Sequence, residues 1–494
     1  MGCGRMKKIV LLLAAIGSGV ASTYACTTIL VGKNASSDGS ILIARNEDGD
    51  SGNAAVRFMY HPPRKTGYLY KNVEENQFTY QLPDNLMGYT GSPDWQTNNS
   101  TFEEAGFNDL GVGISATETI QSNLQTLKVD PYVESTGIVE EAIPTILLPQ
   151  MKSAREGVLM LGKIIESQGS GEGFGVAFVD KDEAWYLENA GGHQWLAIRL
   201  PDDGYFVSAN QSRLGTVDLS DTQNYLSSSD LIVFAEQNGL YNPKKDGAFN
   251  FHKVYGQNND NDKVYNYPRV TYLQNLFTKS TLNYPVKDGD FPVFLRPDHK
   301  LSVVDVESAL SSYFQGTEHD PYTSQNPKAT ARPISVYRTQ QSHVLQVRDN
   351  LPMPIANVEY LNLGMTATGI YVPFYLGANI PENYKIATGS ADSLSAYWKF
   401  RKLQMLVMQN FPRYAPVVQQ SYALLNQQIT EQQKQFEAEY VKLYARHPKK
   451  AQHLLDEFTK NTLDAVFDVT DQLTNQIITD QSTNINTMYK FHGA

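Results

Sequence analysis

The chain has 494 residues and a net charge of −11, with 41% hydrophobic and 19% charged side chains. That acidic balance argues against a nucleic-acid partner, and the length exceeds one ordinary core, so one large elaborated domain or two domains are expected. The two cysteines, Cys3 and Cys26, are too few to staple a small secreted scaffold.

Residues 1–25 read MGCGRMKKIVLLLAAIGSGVASTYA. Arg5, Lys7 and Lys8 form a basic start, 9–16 is apolar, and 17–25 is small and neutral with Thr23 and Ala25 at the third and first places before Cys26. This is the layout of a secretory signal peptide with its cleavage site, and the apolar run is too short to span a bilayer comfortably. Cleavage by signal peptidase after Ala25 would remove Cys3 and three basic residues, taking the net charge from −11 to −14. Cys26 would then open the mature chain, with a thiol and a free α-amine on one residue. The expected location is outside the cell or in its envelope. The rival is a lipoprotein signal acylated at Cys26, but Thr23 stands where Leu is usual, followed by bulky Tyr24.

From Cys26 the sequence runs CTTILVGKNASSDGSILIARNED. Two apolar runs, 28–31 and 40–44, flank a Gly/Asn/Ser/Asp cluster and predict a hairpin. Folded about Ala35 and Ser36, it sets Cys26 opposite Arg45, with Asp48 just beyond. A thiol with a reference pKa near 8.5 beside an amine near 7.7–8.0 carries its own base. Arg45 would favour the thiolate, and Asp48 could hold the amine by a charge-assisted hydrogen bond. Such a thiolate attacks an amide carbonyl, forms a thioester and releases the acid to water. The oxyanion needs fixed donors, for which Asn108 and Asn210, each in a turn beside a predicted strand, are candidates.

Downstream, 49–101 reads as strands and long loops, 106–111 as a turn into a strand at 112–117, and 131–168 as helical. A glycine-rich loop at 169–175 leads to a second hairpin, 176–179 with 184–188. Strands follow at 195–200 and 205–208, then loops and short helices over 221–297. A strand pair is expected at 335–338 and 343–347, and another strand at 369–375. The last hundred residues take a helical step, as at Leu425, Ile429, Phe436 and Tyr440, with Pro412 and Pro448 as punctuation. This tail is expected to pack on the sheets; a homo-oligomer contact is the alternative. No later segment resembles a membrane span.

Residues 157–164 nearly spell a phosphate loop but end on Ile164, where a Mg²⁺-binding hydroxyl should stand. No HExxH helix or G-x-S-x-G elbow occurs, and the scattered histidines, His193 and His343 among them, show no metal spacing. Neither a metal nor a cofactor is expected.

Several segments together resemble the cysteine dipeptidases of the dipeptidase A family, within the N-terminal nucleophile hydrolases. They are CTT at Cys26, ARNED at 44–48, GFNDLGVGISATET at 106–119 and, most specific, DEAWYLENAGGHQWLAIRLPDDGYFVSANQ at 182–211. RPISVYRTQQSHVLQVR at 332–348 and YVPFY at 371–375 also fit. Bile salt hydrolases and penicillin V acylases are more distant relatives. The resemblance implies an α+β fold, an αββα sandwich over 26–390 with a helical C-terminal extension over 391–494. It implies Cys26 as nucleophile with its own amine as base, Arg45 and Asp48 as neighbours, Asn108 and Asn210 near the oxyanion, and Arg269 as a second active-site arginine. The function it implies is exported thiol dipeptidase, with a small peptide as substrate. An acylase-type amide hydrolase is the close alternative, and a lipid-anchored binding protein acylated at Cys26 is the alternative from another class.

Overall fold

The computed structural model describes residues 26–49, 55–95, 102–279, 289–323, 331–485 and 489. The leader at 1–25 lies outside the described residues. Among them no helix is long and apolar enough to cross a membrane.

The fold is α+β. One sheet has seven strands in the order Phe294–Leu295, Tyr205–Ser208, Thr27–Val31 (β1), Ile41–Asp48 (β2), Thr339–Val347, Asn357–Leu363 and Val372–Tyr375. The other has six, in the order Tyr225–Ser227, Gln194–Arg199, Ala184–Ala190, Phe174–Val179, Gly113–Thr119 and Ala105–Phe107. β2 is buried along all eight residues, so no polar face marks it in the sequence. Its side chains still alternate by the two-residue period of a strand. Ile41 and Ile43 meet Val179, Tyr186 and Ile198 of the facing sheet, whereas Leu42 and Ala44 meet Val270, Leu273 and Val306 of the helices behind.

Helix Ala154–Gln168 covers the outer face of the six-stranded sheet, its Val158, Leu161 and Ile165 packing on Phe178, Trp185 and Trp195. Ser153 caps it by accepting from Glu156 N at 3.1 Å. The near-phosphate-loop glycines lie within this helix, where a Cβ on Gly162 would come 2.3 Å from the Trp195 ring; they are packing positions. Helices Tyr267–Phe277 and Val303–Leu310 cover the outer face of the seven-stranded sheet.

The tail forms helices Ala396–Met408, Phe411–Tyr444 and Pro448–Asn484, with Pro412 and Pro448 in first turns, where a missing N–H costs nothing. Leu403, Val418 and Val466 bury against Leu361, Leu363 and Phe374 at one end of the seven-stranded sheet.

Three expectations change. Residues 335–338 form no strand; Thr339–Val347 is a single central strand between β2 and Asn357–Leu363. The stretch 131–168 is not one helical block, because Pro144 starts a short helix Ile143–Leu147 and Ser153 starts another. The first hairpin pairs Thr27 with Asn46 and Thr28 with Arg45, two residues away from the predicted register. Its turn is a long loop and not a tight two-residue one: Asp38 Oδ1 accepts from Ser40 N at 3.1 Å, Ser36 bridges to Leu301, and Gly39 takes φ +80°.

Candidate active site

A register shift of two keeps every side chain on its face. One step beyond the Thr27–Asn46 pair, Cys26 therefore stands beside Glu47, and its Sγ donates to Glu47 Oε1 at 3.4 Å. Arg45 lies on the same face and reaches the sulfur diagonally, Nη1 to Sγ 3.8 Å. The Arg45 terminal nitrogens also donate to the carbonyls of Ala116 and Thr117 and to Glu104 Oε2 at 3.0 Å. Strand Gly113–Thr119 of the facing sheet thus clamps the guanidinium over the thiol.

From the other side Arg269, in helix Tyr267–Phe277, donates through Nη1 to the Cys26 carbonyl and, at 2.9 Å, to Thr27 Oγ1. Its Nη2 donates to Asn210 Oδ1 and to Asn266 Oδ1, both at 2.8 Å. Asn210 Nδ2 rests on the Thr119 carbonyl at 3.2 Å. The structure therefore joins buried Cys26, Arg45 and Arg269 and half-buried Asn210 in one network.

Two predicted residues are placed differently. Asp48 meets Arg332 and Thr339 Oγ1 instead of Cys26. Arg332 and Arg269 lie over the same Tyr265 ring, each 5.2 Å from its centroid, so the Asp48 pair abuts the network without touching the sulfur. Asn108 closes the turn between strands Ala105–Phe107 and Gly113–Thr119. Its amide donates to the carbonyls of Leu148 and Met151 at 2.9 and 2.7 Å, and its Oδ1 accepts from Leu110 N and Val112 N. With both hydrogens committed there, Asn108 is a turn residue and offers no donor to an oxyanion at Cys26.

Acidic residues that sequence reasoning passed over crowd the sulfur. Glu47 and Glu104 lie 2.8 and 3.0 Å from the Arg45 guanidinium, and Glu140 4.0 Å. Glu118 Oε2 accepts from Thr28 Oγ1 at 2.7 Å. Burial pushes the Glu47 carboxyl up to about 8, against the pull of Arg45, and the Glu118 carboxyl up to about 7. Burial would lower the Arg45 guanidinium, but Glu47 and its other acidic neighbours hold it above its usual range. The Cys26 thiol is pushed well above its ordinary value, first by burial and then by Glu47, with Arg45 opposing. Burial, then Arg332, draws Arg269 down to about 9.

Carboxylate oxygens of Glu47, Glu104 and Glu140 come within 4.8 Å of one another, a spacing that could hold a cation. The Arg45 guanidinium already stands among them and supplies positive charge. His343 is buried, Nε2 2.8 Å from Ser115 Oγ, and burial holds it well below its usual range; it is a core residue.

Among the described residues the one cysteine is buried and flanked by arginines at the first strand of a two-sheet fold. The model for peptidase family C69 matches residues 25–423. A protein named "Probable dipeptidase" from Salmonella dublin is 51% identical over 360 residues, covering 73% of this chain and 82% of that one. "Probable dipeptidase B" from Lactococcus lactis subsp. lactis is 39% identical, covering 76% and 79%. "Dipeptidase A" from Lactobacillus helveticus is 37% identical, covering 71% and 75%. The chain belongs to peptidase family C69, and the enzyme is a cysteine-type peptidase.

Proposed function

We propose that this protein is an exported thiol dipeptidase working as an N-terminal nucleophile hydrolase. The facing sheets with helices on both outer sides are then the αββα sandwich of that superfamily over 26–390, and 391–494 is its helical extension. Signal peptidase cleaves after Ala25, and Cys26 gains a free α-amine in place of a peptide bond. The amine takes the thiol proton, directly or through water. Arg45 stabilises the resulting thiolate, and Arg269 holds the Cys26 carbonyl so that the residue cannot swing away from its strand. The thiolate attacks the scissile carbonyl, and the amine returns the proton to the leaving nitrogen. Water then hydrolyses the thioester.

Asn210 supplies the oxyanion donor in this reading. Its Nδ2 holds the Thr119 carbonyl at 3.2 Å, a long bond that a developing negative charge outcompetes, and Arg269 fixes its Oδ1. The observation that carries the proposal is Cys26 itself, buried in reach of Arg45 and anchored through its carbonyl by Arg269. The mature chain should hydrolyse a panel of dipeptides faster than bile-salt or penicillin V amides, and Cys26→Ala should abolish turnover. Retained cleavage in Cys26→Ala overturns the nucleophile; preference for the acyl amides overturns the substrate class. A diacylglyceryl adduct on Cys26 overturns both.

A further inference from the structure

The space beside the sulfur is short of positive charge. Glu47, Glu104 and Glu140 share the Arg45 guanidinium at 2.8, 3.0 and 4.0 Å, and Glu118 reaches across from the facing sheet to bond Thr28. All four side chains are buried. Within this cluster Oε1 of Glu118 is fully buried and takes no hydrogen bond, while Oε2 of Glu47 is held by the Arg45 ion pair at 2.8 Å. A buried acceptor without a donor costs about 1–3 kcal/mol, more when charged. Three carboxyls sharing one guanidinium, with one unpartnered acceptor beside them, favour a further cation that brings its own hydrogens.

The covalent geometry of a peptide identifies that cation. The α-nitrogen is two bonds from its own carbonyl carbon, through N–Cα of about 1.46 Å and Cα–C of about 1.52 Å. When Sγ bonds that carbon, the nitrogen of the same residue falls about 3–4 Å from Sγ. Glu47 Oε1 is 3.4 Å from Sγ, on the same face of the ribbon. It is freed when the thiol that now donates to it becomes a thiolate. An ammonium that lies on the Glu47 side of the sulfur is therefore within hydrogen-bond reach of Oε1.

We propose that Glu47, backed by Glu104 and Glu140, binds the α-ammonium of the substrate's first residue. A free amino terminus is thereby a condition of turnover, and the scissile bond is the one that follows the first residue. This deepens the dipeptidase reading and rests on it.

The test compares the best-cleaved dipeptide of a panel with its des-amino analogue, identical except that hydrogen replaces the amino group. The wild-type mature enzyme should prefer the dipeptide by about 10²–10⁴-fold in kcat/KM, because the analogue leaves Glu47 without its partner. Calorimetry in the Cys26→Ala background then isolates binding. Adding Glu47→Gln should weaken dipeptide affinity by about 10²-fold while leaving the analogue's affinity within a few-fold. Equal wild-type turnover of the two compounds, or unchanged dipeptide affinity with Glu47→Gln, overturns the assignment. Failure of the wild-type enzyme to cleave any dipeptide sinks the underlying function instead, so the two failures are separable.

Discussion

Arg269 donates a hydrogen bond to the main-chain carbonyl of Cys26, a contact between residues 243 apart in sequence. The same guanidinium holds Asn210, so one buried side chain sets the position of both the proposed nucleophile and the proposed oxyanion donor. Lysine cannot reproduce this fork. Arg269→Lys should lower kcat/KM on dipeptides by about 10²-fold or more while the protein stays folded. Steady-state kinetics beside a thermal melt checks it; full activity would show that the fork positions nothing the reaction needs.

The two asparagines separate by role. Asn210→Ala should cost about 10²–10³-fold in kcat with little loss of stability, as removal of an oxyanion donor does. Asn108→Ala leaves the Leu148 and Met151 carbonyls and two turn N–H groups without partners, and should cost about 2 kcal/mol or more of stability. The folded fraction should retain near-normal kcat. Active-site titration normalises the rates, and a large kcat loss in folded Asn108→Ala would contradict the assignment.

Asp48 and Arg332 form a buried pair with side chains 0% and 7% exposed. Asp48→Asn leaves the Arg332 charge without its carboxylate and should destabilise by about 3–5 kcal/mol. Urea unfolding midpoints measure this; an unchanged midpoint would mean that water or another group compensates.

Much of this arrangement was legible in the sequence, and the misses have physical causes. Strand Tyr205–Ser208 and the second hairpin follow directly from runs of β-branched and aromatic residues. The register of the first hairpin did not follow, because turn composition fixes register only when the turn is short enough to have a defined type. Glu47 stands in the ARNED segment and Arg332 opens the RPISVYR segment, but nothing in either stretch distinguishes them from surface charges. Their importance comes from burial, and a charged residue inside a strand carries no local mark of being buried. Asn108 shows the converse: a turn asparagine next to a strand looks the same whether its amide serves the turn or a substrate.

The buried carboxyls make stability depend on pH. Burial raises Glu118 and Glu188 to about 7 and Glu307 to about 8, against about 4.3 in an unfolded chain. The native state therefore holds protons that the unfolded chain has released, and this contribution to stability is lost as pH rises through the folded values. His252, lowered by burial to about 4, works oppositely but has finished titrating in both states by about pH 7.5. Between pH 7 and 9 the melting temperature should fall, and Glu307→Gln should flatten the slope. A melting temperature that climbs across that window would contradict the burial of these groups.

The account depends most on what the active chain begins with. Intact-mass measurement and amino-terminal sequencing of exported enzyme that is turning over dipeptide should find Cys26 first, its amine unblocked, and alkylation of its sulfur should abolish turnover. An active chain that starts at any other residue, carries an acylated amine, or keeps its rate after Cys26 is alkylated would contradict it.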